Sequence, residues 1–309
     1  MYKYRFSLFT ATYNRGAMLE ELSNFVLNQT FKGAYEWVIV SDGSTDNTSE
    51  IVEKIKAKSH IPIKYIYKQN GGKHTAWRVA TNVFEGQYVV SCDDDDPITL
   101  NMLDVYDKYW SELEASSSYD LFWEVRSRAQ YENCQLVGHV LPKPYLDSDY
   151  NEVTFRMKKG CEMVGCRKVE VLKAEAAVPD SFLFEDKCSN FPEGIRWSRA
   201  ARKYKTRFVP EVTRTYVIGH DSLCVSQKGT QRSMKRNYNS LVTSLYSLNE
   251  QGDLLRKYEF GRYLFTILQL VYCAIRVNEP IIKYINRWQD KILAFIAYTP
   301  GWIIYKLRK

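Results

Sequence analysis

Four short apolar runs fill the first third of the chain, each followed by a polar loop and then by a stretch with helical spacing, and this leaves few ways to fold. Residues 5–10 read as a strand, and residues 16–27 place Met18, Leu19, Leu22 and Val26 on one helical face. Trp37, Val38, Ile39 and Val40 form a buried strand, and residues 46–57 carry Ile51, Val52 and Ile55 on one face of a helix. Residues 63–67 are a third strand, Asn70-Gly71-Gly72 a turn, residues 73–84 a helix and residues 88–92 a fourth strand. Strands that alternate with helices predict an α/β fold with a doubly wound, mostly parallel, Rossmann-like sheet. Ligands of such sheets bind in the crevice at the carboxyl ends of the strands.

Those ends carry polar groups in every case. Thr12, Tyr13, Asn14 and Arg15 follow Ala11 at the first, Asp42-Gly43-Ser44-Thr45-Asp46 comes at the second, and Asn70 to His74 at the third. Asp93, Asp94, Asp95 and Asp96 follow the fourth, closed by Pro97. Asp42 can accept the N–H of a base, Tyr13 can lie against a flat ring, and Lys73 can reach a diphosphate. Asp42 and Ser44 are equally able to build the turn and cap the next helix. Four adjacent carboxylates repel one another unless something positive neutralises them. A hard divalent cation, Mn²⁺ or Mg²⁺, does so with one or two carboxylates, phosphate oxygens and water. A polar turn with Asp94 or Asp96 capping a helix from residue 99 or 100 is the plainer alternative. No GxGxxG follows the first strand and no GxxxxGK[ST] occurs, which argues against a dinucleotide dehydrogenase and a P-loop enzyme.

In order and spacing, these segments resemble the four donor-binding motifs of family 2 glycosyltransferases: residues 9–15, 38–46, 70–74 and 90–96. The resemblance implies a GT-A fold, a nucleotide-sugar donor and inversion at the anomeric carbon. It assigns Asp42 to the nucleobase, Ala11 and Tyr13 to the nucleotide pocket, Lys73 to the diphosphate, and Asp93 and Asp95 to the DxD pair that meets ribose and metal. Asp94 stands where that motif usually has a small or apolar residue, and Asp94 or Asp96 could take over a ligand role. Residues 161–168, with Gly165, resemble the strand that passes under the sugar. Glu185 and Asp186 resemble the pair that supplies the general base, with Asp186 as base and Glu185 beside it on the acceptor. The two could be exchanged. His220 resembles a third contact to metal or diphosphate, and Lys228, Arg232, Lys235 and Arg236 follow it.

The middle of the chain is less regular. Residues 119–126 and 134–141 read as strands with a loop over 142–150, residues 169–177 as a short helix, and residues 207–210 and 212–217 as a hairpin-like pair. The net charge of +7 is concentrated in the tail: from Gly229 onward thirteen Lys or Arg face five Asp or Glu, which leaves the rest near −1. That asymmetry points to an anionic partner. From about residue 237 the chain reads as helical and aromatic. Residues 263–275 are apolar but short of the roughly 20 residues of a span. Residues 292–298 and 302–305 are two shorter runs split by Pro300-Gly301. Helices lying on an anionic membrane have this character. So has a bundle packed on the catalytic domain or on another subunit.

The expected division is therefore a nucleotide-sugar-binding half over 1–98, an acceptor-binding and catalytic half over 99–225, and a basic, aromatic helical extension over 226–309. The seven cysteines are scattered and form no CxxC pair or Cys/His cluster, which excludes a zinc site of the usual spacing and favours a reducing compartment. With no apolar leader before residue 5, the expectation is a cytoplasmic protein, peripheral on the inner face of the cell membrane. Its expected activity is transfer of a sugar, from a uridine diphosphate donor, to a hydroxyl of a cell-surface polysaccharide or lipid-linked saccharide. A metal-dependent nucleotidyltransferase and a non-catalytic membrane scaffold are the alternatives. A nucleic-acid partner is disfavoured, because the basic residues are interleaved with long aliphatic runs.

Overall fold

The computed structural model describes residues 2–138, 144–157, 163–176, 183–184, 187–188, 194–217 and 234–307. Its first third repeats strand and helix as read: β1 (Tyr4–Thr12), α1 (Gly16–Val26), β2 (Tyr35–Asp42), α2 (Thr48–Lys58), β3 (Ile63–Lys68), α3 (Lys73–Val83) and β4 (Gly86–Ser91). Next come α4 (Met102–Glu114), β5 (Phe122–Tyr131), β6 (Leu146–Ser148), β7 (Met163–Lys168), α5 (Val169–Ala176), α6 (Gly194–Ala200) and β8 (Lys205–Tyr216). The eight strands form one sheet in the order β3-β2-β1-β4-β7-β5-β8-β6. Strands β1 to β4 are parallel, β7 runs antiparallel between β4 and β5, β8 is parallel to β5, and β6 closes the edge antiparallel.

Strand alternation sends successive residues to opposite layers. Leu8, Trp37, Ile39 and Val90 pack under α1, α2 and α4, where Leu22, Ile51 and Trp110 meet them. Phe9, Val38, Val40 and Val89 face the other way, onto Trp77 of α3 and Trp197 of α6. Both faces are thus covered, as a parallel sheet requires. The tail is helical, with α7 (Met234–Tyr258), α8 (Phe260–Val277) and α9 (Trp288–Leu307) gathered round a core that also takes in Phe155, Cys188 and Ile195.

Four readings of the sequence need correction. Residues 205–216 form a single strand, not a hairpin; its register on β5 slips between Phe208 and Val212, and that bulge accommodates Pro210, which has no N–H to give the ladder. Residues 131–136 turn back sharply, with Cys134 at φ 63 and one bridge from Gln130 to Leu136, and the short strand falls instead on Leu146–Ser148 inside the expected loop. Helix α4 starts at Met102 because Ile98 bridges Arg214 and the Thr99 N–H donates to Thr213, which keeps the chain extended. Pro300 does not split the last segment, since α9 runs through it. Next to it Gly301 is buried against α8, where a Cβ would lie 3.2 Å from Val271, so the packing of the helix pair holds the turn together despite the missing hydrogen bond.

Candidate active site

The loops after β1, β2 and β3 are tied to one another. Asn14, at φ 52, donates its N–H to Ser44 Oγ (3.0 Å) and accepts the Thr45 N–H on Oδ1 (2.7 Å). Asp42 ends the fully buried β2 and is itself buried. Its Oδ1 accepts the Gly71 N–H (3.0 Å) and the Lys68 ammonium, and its Oδ2 accepts the Gly72 N–H (2.7 Å). Asn70 donates to the Asp42 carbonyl at 2.9 Å. Gly43 adopts φ 83, and a Cβ there would press to 2.8 Å from the Asn70 nitrogen, so this turn requires glycine. The structure therefore shows Asp42 as the knot that fixes the glycine loop. Ala11 lies at the end of β1, and Tyr13 just beyond it is 43% exposed, its ring open to a planar ligand.

The acidic row is neutralised by cations from three distant places. Lys73, the first residue of α3, reaches Asp93 Oδ1 at 2.6 Å. Arg15 donates one nitrogen to Asp94 (2.9 Å) and to Asp95 (2.8 Å). Arg214, from β8, lies 3.5 Å from Asp93 and 3.3 Å from Asp96, which also accepts the Val217 N–H at 3.1 Å. These contacts split the row electrostatically. Burial works to raise the Asp93 carboxyl, but Lys73 and Arg214 outweigh it and hold it below the usual carboxylate range. For Asp94 burial prevails over Arg15 and the carboxyl is raised, while burial pushes Asp96 up to about 6 against Arg214.

Gly165 lies in β7, paired with Arg126 of β5. A Cβ there would come within 2.2 Å of Glu124 Oε1 and 2.6 Å of an Arg167 nitrogen. Glu124 is completely buried; its Oε2 accepts a hydrogen bond from Arg126 Nε (2.8 Å), and its Oε1 forms an ion pair with Arg167 Nε at 2.7 Å. Arg167 also stacks on Trp197, with 4.1 Å from its guanidinium carbon to the ring centroid. Residue 165 is glycine because a buried ion pair passes across it.

Asp42, Lys73, Asp93, Asp94 and Asp95 thus meet at one edge of the sheet, with Ala11 and Tyr13 beside them and Gly165 one strand further on. Glu185, Asp186 and His220, expected as base, neighbour and third ligand, lie outside the described residues, as do Lys228 and Arg232. Sequence reasoning passed over Arg214, Lys68 and the Glu124–Arg126–Arg167 group. Lys68 could have been found as a cation at the end of a strand, but Arg214 contacts an acid 121 positions away and carries no local signal. Among the described residues no three His, Cys, Asp or Glu side chains are grouped to hold a metal. The acidic row still suits a hard cation that takes most of its oxygens from phosphate and water, and Asp94 Oδ2 is buried with no hydrogen-bond partner.

A mostly parallel sheet with this strand order, acids at the end of β4 and cations closing over them defines a GT-A fold. Its likeness to solved structures agrees: residues 1–349 of Staphylococcus aureus TarS, crystallised with UDP-GlcNAc, superpose with a TM-score of 0.58 at 17% identity, over 96% of this chain and 80% of that one. The mannosyltransferase PcManGT from Pyrobaculum calidifontis, crystallised with GDP-Man and Mn²⁺, gives 0.54 at 15% identity, over 99% and 84%. Residues 7–126 match Glycosyl transferase family 2. An uncharacterised glycosyltransferase of Mycoplasma pneumoniae is 34% identical over 123 residues, which cover 38% of this chain and 39% of that protein. TarS of S. aureus, a poly(ribitol-phosphate) beta-N-acetylglucosaminyltransferase, is 36% identical over 100 residues, which cover 32% of this chain and 18% of TarS. The chain thus matches well under half the length of either relative.

Proposed function

We propose that this chain is an inverting, metal-dependent glycosyltransferase that moves a sugar from a uridine diphosphate donor to a hydroxyl of a cell-surface or lipid-linked saccharide. The observation that carries this reading is the convergence of Asp42, Lys73 and the acidic row, with Arg15 and Arg214, at the carboxyl ends of β1 to β4. Tyr13 stacks on the base, and Asp42 holds the glycine loop beside it. Lys73 exchanges Asp93 for the diphosphate, a swap that leaves the carboxylate able to hold a cation. Asp93 and Asp95 would hold the divalent ion, with Asp94 adjacent, and the ion would neutralise charge on the departing diphosphate. Asp186 accepts the proton of the acceptor hydroxyl as its oxygen bonds to the anomeric carbon and the bond to the diphosphate oxygen breaks. Glu185 binds the acceptor beside it, and His220 adds a contact to the ion or the diphosphate. A TarS crystal structure holds UDP-GlcNAc, which supports uridine as the base.

Calorimetric titration with uridine diphosphate, with and without Mn²⁺, tests this directly. Binding is expected to require the metal and to be abolished by Asp95→Ala. An unchanged affinity in that variant would remove Asp95 from the site. Silence towards uridine, guanosine and thymidine diphosphates alike would overturn the donor assignment.

A further inference from the structure

We propose that the outward face of α9 is a docking surface for an anionic lipid bilayer, on which the helix lies flat in the headgroup region while α8 supports it from behind. The inference is independent of the proposed activity. Ten of the eighteen exposed large apolar residues among those described fall between Phe260 and Leu307. On α9 they follow helical spacing: Trp288, Ile292, Phe295, Ile296, Ile303 and Leu307 are each 48% to 81% exposed. At 3.6 residues per turn they occupy one arc of about 120°. Asp290, Ala294 and Gly301 lie on the opposite side and are buried. Asp290 accepts the Tyr263 hydroxyl and Gly301 sits against Val271, so α8 and α9 run side by side in the same direction.

Charge decides what covers this face. Asp290 is the only acid of α9 and is fully buried, so the outer surface carries no negative group. Lys291 stands at the edge of the apolar arc, and Lys306 lies over the Trp302 ring near the end of the helix. A second copy of the chain would bring lysine against lysine with no acid to answer it. Anionic headgroups answer both lysines, while exposed Trp288 and Trp302 suit the boundary where an aromatic ring is half apolar and half wet. Helix α8, with 18 residues and a mean hydropathy of 1.2, is the one described helix long and apolar enough to cross a membrane. Because it shares a core with α7 and α9, we take it as the support of α9 and not as a span.

The test is co-sedimentation of the full chain with vesicles of phosphatidylcholine alone or mixed with phosphatidylglycerol. Binding to the mixed vesicles is expected, weakened by salt and by loss of the anionic lipid, and extractable with alkaline carbonate. Phe295→Asp with Ile296→Asp should lower it by about tenfold or more, with far-ultraviolet dichroism unchanged. Lys291→Gln with Lys306→Gln should lower it less, and only on anionic vesicles. Absence of binding by the wild-type chain overturns the proposal, as does resistance to carbonate, which would make α8 a span. A soluble dimer that the Phe295/Ile296 variant converts to monomer would assign the face to a second copy instead.

Discussion

The donor edge of the sheet and the outer face of α9 present chemistry of opposite kinds. At the donor edge polar groups are crowded together and tied off: Asp42 holds the glycine loop, and Arg15, Lys73 and Arg214 hold the acids. On α9 the one acid is turned inward and apolar side chains stand in water. An arrangement of the first kind suits a charged small molecule that exchanges one ionic partner for another. One of the second kind suits an extended surface, because the gain comes from removing water from area and is tolerant of detail. Substitutions at the donor edge should therefore act on one property at a time, and substitutions in α9 should act in proportion to the area they change.

The sharpest separation is expected from Asp186→Asn, which should cut turnover by about 10² to 10⁴-fold while leaving metal-dependent nucleotide binding intact. Near-normal single-turnover rates would remove Asp186 as the base. Gly165→Ala comes next. Its Cβ would force apart a buried ion pair, at a cost of about 3 kcal/mol in denaturant unfolding. If the midpoint stays where it is, the Glu124–Arg167 contact is not what fixes that residue. Asn14→Ala removes the tie to Thr45 and strains a left-handed position; a loss of about 1 to 2 kcal/mol is expected, with weaker nucleotide binding. In α9, Pro300→Ala should act in the reverse direction, raising stability by roughly 1 kcal/mol through a restored helix hydrogen bond and leaving nucleotide affinity untouched. A change in that affinity would show that the two regions are coupled.

What was legible in the sequence follows the range of the forces involved. Strands β1, β2 and β4 were readable because a parallel strand covered on both faces must be a largely continuous apolar run, and Trp37-Val38-Ile39-Val40 is one. Their loops were readable because the carboxyl ends of such strands are where ligands meet the fold. The second half was harder, since its local signals compete with distant pairing. Pro210 and Pro300 both looked like boundaries, yet a β-bulge absorbs one and packing on α8 absorbs the other. Arg214 could not have been placed, because nothing near it in the chain indicates that β8 carries it beside Asp93 and Asp96.

The buried pair that crosses Gly165 also has a consequence for how this sequence can drift. Glu124 and Arg167 fill the space a side chain at 165 would need, and removing Glu124 would take the acid away from buried Arg126 and Arg167 alike. The three positions are therefore free to change only together. Among close relatives of this chain, a residue larger than glycine at 165 should be accompanied by loss of both the acid at 124 and the arginine at 167. Combined substitution of all three should cost less than the sum of the single ones.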